Sequence, residues 1–338
     1  MSPQQARRRK KRRAFYLKRA FVLGAMIFLL SVMAVFLFSC FGREPEPSNN
    51  QKGQDTGTTD PGVQESEAGT RAPFSDPALP EGWQRITMPE SSLSEGSLVL
   101  VNQGNAFDAS IPKTVSVYEN KNRSYMVKDI YLSVTPETVK ALNNWMEAFA
   151  AETGITDVNI VSGWRSFADQ TAIYDNAVAS KGQAHADAYI ALPGHSEHHT
   201  GLAVDLDTYN VENGTSGGFD GDGEYAWAVQ HAWEYGFIQR YPPSKSGITG
   251  IDYESWHFRY VGLPHSYVMA SENLCLEEYI DYLRSFPLSG EHLFVSCLGA
   301  SYELYFCPEG QVIVPVSGSY TVSGNNADGY IIVINTSE

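Results

Sequence analysis

Apolar residues in the middle of the chain recur with two periods, and the switches between them mark the elements. Val139, Leu142, Met146 and Phe149 fall at helical spacing. Thr135-Pro136-Glu137 supplies an N-cap and a proline at the first helical position, and Gly154 supplies a stop, so a core helix is predicted between them. Val158 to Val161 predicts a short strand that delivers Gly163, Trp164 and Arg165 to its end. Ser166-x-x-Asp169 then matches a capping box, which starts a helix at Phe167 that runs to about Ser180. Leu202 to Leu206 is a buried strand carrying Asp205. Gly214, Gly217, Gly218, Gly221 and Gly223 mark a long irregular loop after it. Tyr225 to Tyr235 is predicted helical, with Ala226, Val229 and Trp233 inward and Gly236 as the stop. Trp256, Phe258 and Tyr260 alternate, which makes 255–260 a strand with His257 and Arg259 on its other face.

The flanks read differently. Between 81 and 130, short apolar runs such as Leu98-Val-Leu-Val101 predict strands leading into the domain. From about 286, Phe294–Cys297, Tyr302–Cys307, Val312–Val314 and Tyr330–Ile334 are short β-type runs separated by Gly, Asn and Ser turns. They predict a small β appendage, with Cys297–Cys307 as a candidate disulfide and Cys275 left over. Asp220-Gly-Asp-Gly-Glu224 hints at a calcium loop. An EF-hand would place Gly at Tyr225 and Glu at His231, so the stretch reads as a solvated turn.

Charge divides the chain. Of 24 Lys and Arg, nine fall in residues 1–20, which hold no acid, so residues 21–338 carry 15 − 39 = −24. That argues against nucleic acid as a partner. Arg7 to Arg13 is an unbroken basic run, and Phe21 to Gly42 follows with no charge over 22 residues. This is enough to cross a bilayer core of ~30 Å at about 1.5 Å per residue. With the basic flank cytoplasmic, the remainder lies outside, as a single-pass protein of the cell membrane. Leu37-Phe-Ser-Cys40 partly resembles a lipobox, but Phe38 fits it poorly, so an uncleaved anchor is preferred to a lipoprotein signal. Residues 43–80 are rich in Pro, Gly, Ser, Thr and acids, and read as a disordered spacer. The organisation is therefore a tail and anchor (1–42), the spacer, a folded domain (81–285) and the appendage (286–338).

The chemistry concentrates in Pro193-Gly-His-Ser-Glu-His-His-Thr-Gly-Leu-Ala-Val-Asp205 and Glu254-Ser-Trp-His257. Two imidazoles and a carboxylate suit a catalytic zinc site, which keeps a position open for water. His198 and Asp205 would stand ~23 Å apart in an extended chain, whereas two ligands of one metal lie within about 4 Å. The chain must turn between them, and Gly201 permits it. His195 and His199 flank His198, and residue type alone does not choose among the three. Glu254 and His257 fall on opposite faces of a regular strand, so a bulge or a later strand start must bring them together.

Ser196-x-His198-x-x-Gly201-x-Ala203-x-Asp205 with Glu254-x-Trp256-His257 resembles the VanY-type D-alanyl-D-alanine carboxypeptidases, zinc peptidases of the M15 family. Ser162-Gly-Trp-Arg-Ser-Phe-Ala-Asp-Gln170 is similar to that family's Ser-Gly-Tyr-Arg-Ser-x-x-x-Gln segment, with Trp164 in place of Tyr. The resemblance runs from roughly Ser97 to Ala270. It implies an α+β fold, a small antiparallel sheet flanked by helices, and a zinc cofactor. It implies His198, Asp205 and His257 as metal ligands, Glu254 as general base and acid, and Arg165 at the oxyanion. Gln170 and Ser196 are implied to bind substrate or support the ligands, and Trp256 to pack behind the site. His185, His231, His265 and His292 are left as structural. The implied reaction removes the terminal D-alanine from peptidoglycan stem peptides. L,D-carboxypeptidase or endopeptidase action, and a non-catalytic zinc-containing wall-binding module, remain alternatives; the module would need neither Glu254 nor Arg165. The appendage then reads as a stabilising cap or a contact to wall polymer.

Overall fold

The computed structural model describes Leu79, residues 81–310 and residues 312–337. The basic tail, the anchor Phe21–Gly42 and the spacer, Leu79 apart, lie outside the described residues. Among the described residues no helix is long and apolar enough to cross a membrane.

The chain opens with β1 (Trp83–Ile86), followed by the short strands β2 (Val115–Ser116), β3 (Met126–Val127) and β4 (Ser133–Val134). Helix α1 (Pro136–Thr153) has the expected ends: the Thr135 hydroxyl accepts from the Thr138 amide, and Gly154 is left-handed. After β5 (Val158–Ser162), Ser166 caps α2 (Phe167–Lys181) through the Asp169 amide. Next come α3 (Gln183–Tyr189), β6 (Ala203–Asn210) and β7 (Thr215–Ser216).

The predicted helix over 225–235 is divided. A 3₁₀ turn at Gly223–Tyr225 leads into α4 (Ala226–His231), and a second 3₁₀ turn follows at Ala232–Tyr235. Three-residue turns shift the faces, so Ala228 and Ala232 are buried instead of Ala226 and Trp233. Val229, as expected, packs against the core. β8 (Phe237–Gln239), β9 (His257–Tyr260), α5 (His265–Ser271) and α6 (Leu276–Arg284) complete the middle of the chain.

The central sheet has the order β3-β5-β6-β9-β8, with β7 pairing outside this path. All its pairs are antiparallel except the β3–β5 edge, a departure from the expected wholly antiparallel sheet. The connection between those two strands contains α1, which returns the chain to the same end, as a parallel pair requires. Alternation along the strands sorts the residues by face. Ile160, Val204, Leu206 and Phe258 join Leu142, Trp145, Met146 and Phe149 of α1 in one core. The Trp145 ring lies 5.0 Å from Phe237 and 4.9 Å from Phe258, and its indole N–H donates to the Ala228 carbonyl at 3.0 Å.

The carboxy-terminal region is β as expected: β10 (Leu293–Cys297), β11 (Ala300–Pro308), β12 (Val312–Pro315), β13 (Tyr320–Gly324) and β14 (Gly329–Asn335). Four of these strands form a sheet ordered β10-β11-β14-β13, while β12 pairs with β1. One face of the sheet shares a core with α5, α6 and the Leu98–Leu100 segment. The other face packs against β1 and β12. Residues from 81 onward therefore form one body with this region, within the compact unit Ser75–Glu338. Leu98–Val101 is buried, as its composition suggests, but it is not a strand. Its amides are served singly, Leu98 by the Ser323 hydroxyl and Leu100 by the Asn325 carbonyl.

The Cys297–Cys307 disulfide does not exist; both thiols are free and buried, as is Cys275. Cys297 pairs with Ala300, and Cys307 lies seven residues further along β11, opposite Tyr330. At about 3.4 Å per strand residue that is roughly 24 Å, far beyond the ~7 Å reach of a disulfide.

One buried histidine couples the α5–α6 core to pH. His265 is 4% exposed, with Nδ1 and the Tyr279 hydroxyl 2.9 Å apart, and burial pushes its pKa down to about 3. The unfolded chain binds this proton near pH 6.5 while the native chain refuses it, so native stability falls as pH drops from about 6.5 towards 3. At pH 4.5 the loss from this group is roughly 2–3 kcal/mol. Urea unfolding at pH 7 and 4.5 should show that difference shrinking in His265→Asn relative to the unmodified chain.

Candidate active site

The site forms where two elements meet the polar face of the sheet. Asp205 on β6 and His257 on β9 are direct cross-strand partners. A register shift in β5 between Ile160 and Ser162 lies beside them. It swings Gly163 and Arg165 out of the strand direction, as bulges do. Gly163 is confined: a Cβ there would meet the Ser133 carbonyl at 2.5 Å. His198 comes from a 3₁₀ turn at Glu197–Thr200, which ends at left-handed Gly201 (φ 68°) and feeds straight into β6. This is the reversal that the spacing of His198 and Asp205 demands.

Ligand atoms of His198, Asp205 and His257 all lie within 4.8 Å of one another, near enough to gather on one metal ion. His198 Nε2 is 3.2 Å from Asp205 Oδ2, and His257 Nδ1 is 2.9 Å from Asp205 Oδ1. Each imidazole is held from behind. His198 Nδ1 donates to the Gly163 carbonyl at 2.7 Å, and His257 Nε2 donates to Glu197 Oε2 at 3.2 Å. Fixing one nitrogen by a hydrogen bond while the other faces the cluster is the usual arrangement of metal-binding histidines. The donor set therefore fits a divalent metal ion.

The neighbouring histidines are engaged elsewhere. His199 Nδ1 donates to the Arg165 carbonyl at 2.8 Å, and its Nε2 accepts from the Gly194 amide at 3.1 Å. His195 Nδ1 donates to the Asn102 carbonyl at 2.7 Å, outside the cluster. Geometry thus selects His198 from three candidates that residue type leaves equal.

Glu254 sits in the turn before β9, its Oε2 3.9 Å from His257 Nδ1, so the strand begins after it rather than through it. It is 7% exposed, and burial pushes its carboxyl up to about 7. Arg165 Nη2 is 3.8 Å from Asp205 Oδ2, and its guanidinium donates to Gln170 Oε1 at 2.7 Å and the Ser162 hydroxyl at 2.8 Å. Gln170 in turn donates to the Ala191 carbonyl at 2.7 Å. All seven anticipated site residues, Ser196 included, line one cavity of about 360 Å³. Trp256 lines it too and is 37% exposed, so it does not pack behind the site. His185, left as structural, also reaches the cavity wall, together with Tyr241.

Glu197 went unnoticed in the sequence. Burial alone would raise its carboxyl, but Arg240, Arg259 and the His257 hydrogen bond hold it well below the carboxylate range. The available signal was Arg259, two residues from His257 on the same strand face: a buried guanidinium needs a carboxylate nearby.

The profile of the family described as VanY: D-alanyl-D-alanine carboxypeptidase matches residues 131–263. A D-alanyl-D-alanine carboxypeptidase of Enterococcus faecium is 33% identical over 264 residues, covering 75% of this chain and 80% of the relative. The bifunctional D-Ala-D-Ala dipeptidase and D-Ala-D-Ala carboxypeptidase VanXYC of Enterococcus gallinarum is 40% identical over 157 residues, covering 46% and 80%. Among solved structures, the vancomycin-resistance D,D-dipeptidase VanXYg, in complex with a D-Ala-D-Ala phosphinate analogue, aligns with a TM-score of 0.66 at 30% identity. The alignment covers 75% of this chain and 99% of that one.

Metal binding at this cluster should compete with one proton. Burial works to lower the His257 pKa, but hydrogen bonds to Asp205 and Glu197 prevail and raise it to about 9. His198 is lowered by burial and Asp205 lies well below its usual range, so neither adds a competing proton near neutrality. Divalent-metal affinity, measured by chelator competition, should weaken about tenfold per pH unit as pH falls below 9. A flat profile between pH 6.5 and 8.5 would remove His257 Nδ1 from the ligand set.

Proposed function

The chain belongs to the VanY family of D-alanyl-D-alanine carboxypeptidases, and from that premise we propose a zinc-dependent mechanism built on the seven cavity residues. The reaction is hydrolysis of the amide before the terminal D-alanine of a peptidoglycan stem peptide. The observation that carries the mechanism is the convergence of His198, Asp205 and His257 beside a carboxylate, Glu254, and a guanidinium, Arg165, in a single cavity.

Two imidazoles and one carboxylate are a catalytic zinc set. When bound there, zinc supplies Lewis-acid polarisation of the scissile carbonyl and acidifies water towards a pKa of ~7. Glu254 accepts the proton of the attacking water and returns it to the departing D-alanine amine. Its position near 7 suits both directions of transfer, since a general acid–base works best close to the ambient pH. Arg165 faces the developing oxyanion, a charge its guanidinium stabilises. Gln170 holds Arg165 through its carboxamide oxygen, which pins the guanidinium. Ser196, buried at the cavity wall, remains a candidate for substrate contact.

The sequence supports a membrane-tethered enzyme outside the cell, on the basic run Arg7–Arg13 and the uncharged stretch Phe21–Gly42. A mature amino terminus at or near Met1, without lipid, is the expected result. Diacylglycerol on Cys40 would select the lipoprotein alternative.

Mass spectrometry of a defined pentapeptide muropeptide incubated with the purified chain should show loss of one D-alanine, abolished by exhaustive chelation and restored by zinc. Full turnover after chelation would refute the metal mechanism, and action on the tetrapeptide alone would refute D,D specificity.

Glu254→Ala separates binding from chemistry. The three ligands persist, so zinc content should stay near that of the unmodified chain. Turnover should fall by roughly 10²–10⁴-fold or more. A folded Glu254→Ala protein without zinc would make Glu254 a ligand instead.

A further inference from the structure

Glu197 is fully buried and takes no part in the chemistry above. Its Oε2 accepts from His257 Nε2 at 3.2 Å, while Oε1 accepts from Arg240 Nε at 2.8 Å and from Arg259 Nη1 at 2.7 Å. Both guanidiniums are themselves tied further out. Arg240 donates to Glu277 on α6 at 2.6 and 2.9 Å, and Arg259 donates to the Ser97 and Val99 carbonyls at 3.0 and 2.8 Å. Glu277 also accepts from the Asn102 side chain at 3.0 Å. Among the described residues no buried side-chain polar atom is left without a partner.

The consequence for His257 follows from imidazole chemistry. A carboxylate can only accept, so Glu197 requires a proton on His257 Nε2 and turns Nδ1 towards Asp205 and Glu254. His198 is fixed the opposite way, with Nδ1 bound to the Gly163 carbonyl and Nε2 facing the cluster. The two histidines therefore present different nitrogens, and each depends on its rear partner for that choice. A neutral amide at position 197 both donates and accepts, and would let Asp205, which can only accept, draw the proton to His257 Nδ1, the nitrogen that metal binding needs free.

We propose that Glu197 is a positioning residue that sets the tautomer and ring orientation of His257 for metal binding. In this arrangement Arg240, Arg259 and Glu277 hold Glu197 in place. Helix α6 and the Ser97–Val99 segment lie outside the matched stretch 131–263, and through these contacts they become part of the support of the metal site. The inference rests on the reading of His257 as a ligand.

The test uses the full purified chain, stripped of metal, in Glu197→Gln, Glu277→Gln and His257→Ala forms. Zinc affinity is read by competition with a chromophoric chelator, ligand geometry by the visible spectrum of bound cobalt(II), and folding by the melt of the metal-free protein. Glu197→Gln should weaken zinc about 10- to 100-fold, the usual effect of losing the hydrogen-bond partner of a ligating histidine, and alter the cobalt spectrum. Glu277→Gln touches no ligand, and should shift both readouts in the same direction by about tenfold or less. Wild-type affinity and an unchanged cobalt spectrum in both folded variants would overturn the proposal. If burying an amide beside two arginines prevents Glu197→Gln from folding, Glu277→Gln decides alone: unchanged affinity overturns the proposal. His257→Ala keeps the two failures apart. If it retains zinc at wild-type affinity, the ligand assignment beneath has failed. If it loses zinc while the other two variants do not, only the positioning role has.

Discussion

The pairing of β6 with β9 is the constraint on which the rest depends. Antiparallel register sets Asp205 directly opposite His257, fifty-two residues away in sequence, and the alternation of the strands turns both from the apolar core. A one-residue slip would send His257 and Arg259 into the core and bring Phe258 to the site. The core forbids that slip, because Phe258 packs on Trp145 and Phe219 while Val204 and Leu206 lie on the same face. The hydrophobic face of the sheet thus fixes the metal-facing geometry without contacting it. Loss of core volume there would disturb the site through register and strand position, not through chemistry.

Local chemistry was the most legible part of the sequence. The caps of α1 and α2 follow from Thr135, Gly154 and Ser166, because a cap is decided by a few adjacent residues. The motif residues were legible for the same reason: short spacings carry their own geometric demands, as the turn at Gly201 illustrates. What escaped was set by distant partners. Leu98–Val101 has strand composition, yet Ser323, Asn325 and Arg259 supply its hydrogen bonds, so no ladder forms. The stretch over 225–235 has helical periodicity but divides into a short α-helix and 3₁₀ turns around Ala228 and Ala232. His199 was indistinguishable from His198 by type and adjacency, and only the Arg165 carbonyl and the Gly194 amide remove it from contention. Glu197 was invisible because its role depends on Arg240, Arg259 and His257 together, three residues that the sequence presents separately.

The polar groups form two layers with different purposes. The rear layer, Glu197, Glu277, Arg240 and Arg259, balances two negative charges with two positive ones, all buried or nearly so and fully hydrogen-bonded. A buried ion cluster of this kind is poor evidence for stability, since desolvation offsets much of the attraction, but it is strongly directional. Its position behind the His257 ring, whose other nitrogen faces Asp205, gives that directionality a use. The front layer, Asp205, Glu254 and Arg165, holds two carboxylates against one guanidinium and faces the cavity.

Burial, more than the charges of the front layer, decides how Glu254 behaves. The protein's own groups set its carboxyl near 7: burial raises it, and Asp205 and Glu197 add to the rise, while His257 and Arg165 oppose it. A dication held by His198, Asp205 and His257 would add a larger positive charge than any group in the cavity, and would oppose that rise. Such an ion would shift Glu254 towards its ionised form, the acceptor that the first proton transfer requires. Once it has taken a proton, the positive charge of such an ion and of Arg165 would favour giving that proton to the leaving amine. The site therefore needs no second acid. One carboxylate can serve in both directions because burial raises its affinity for protons and a bound dication would lower it.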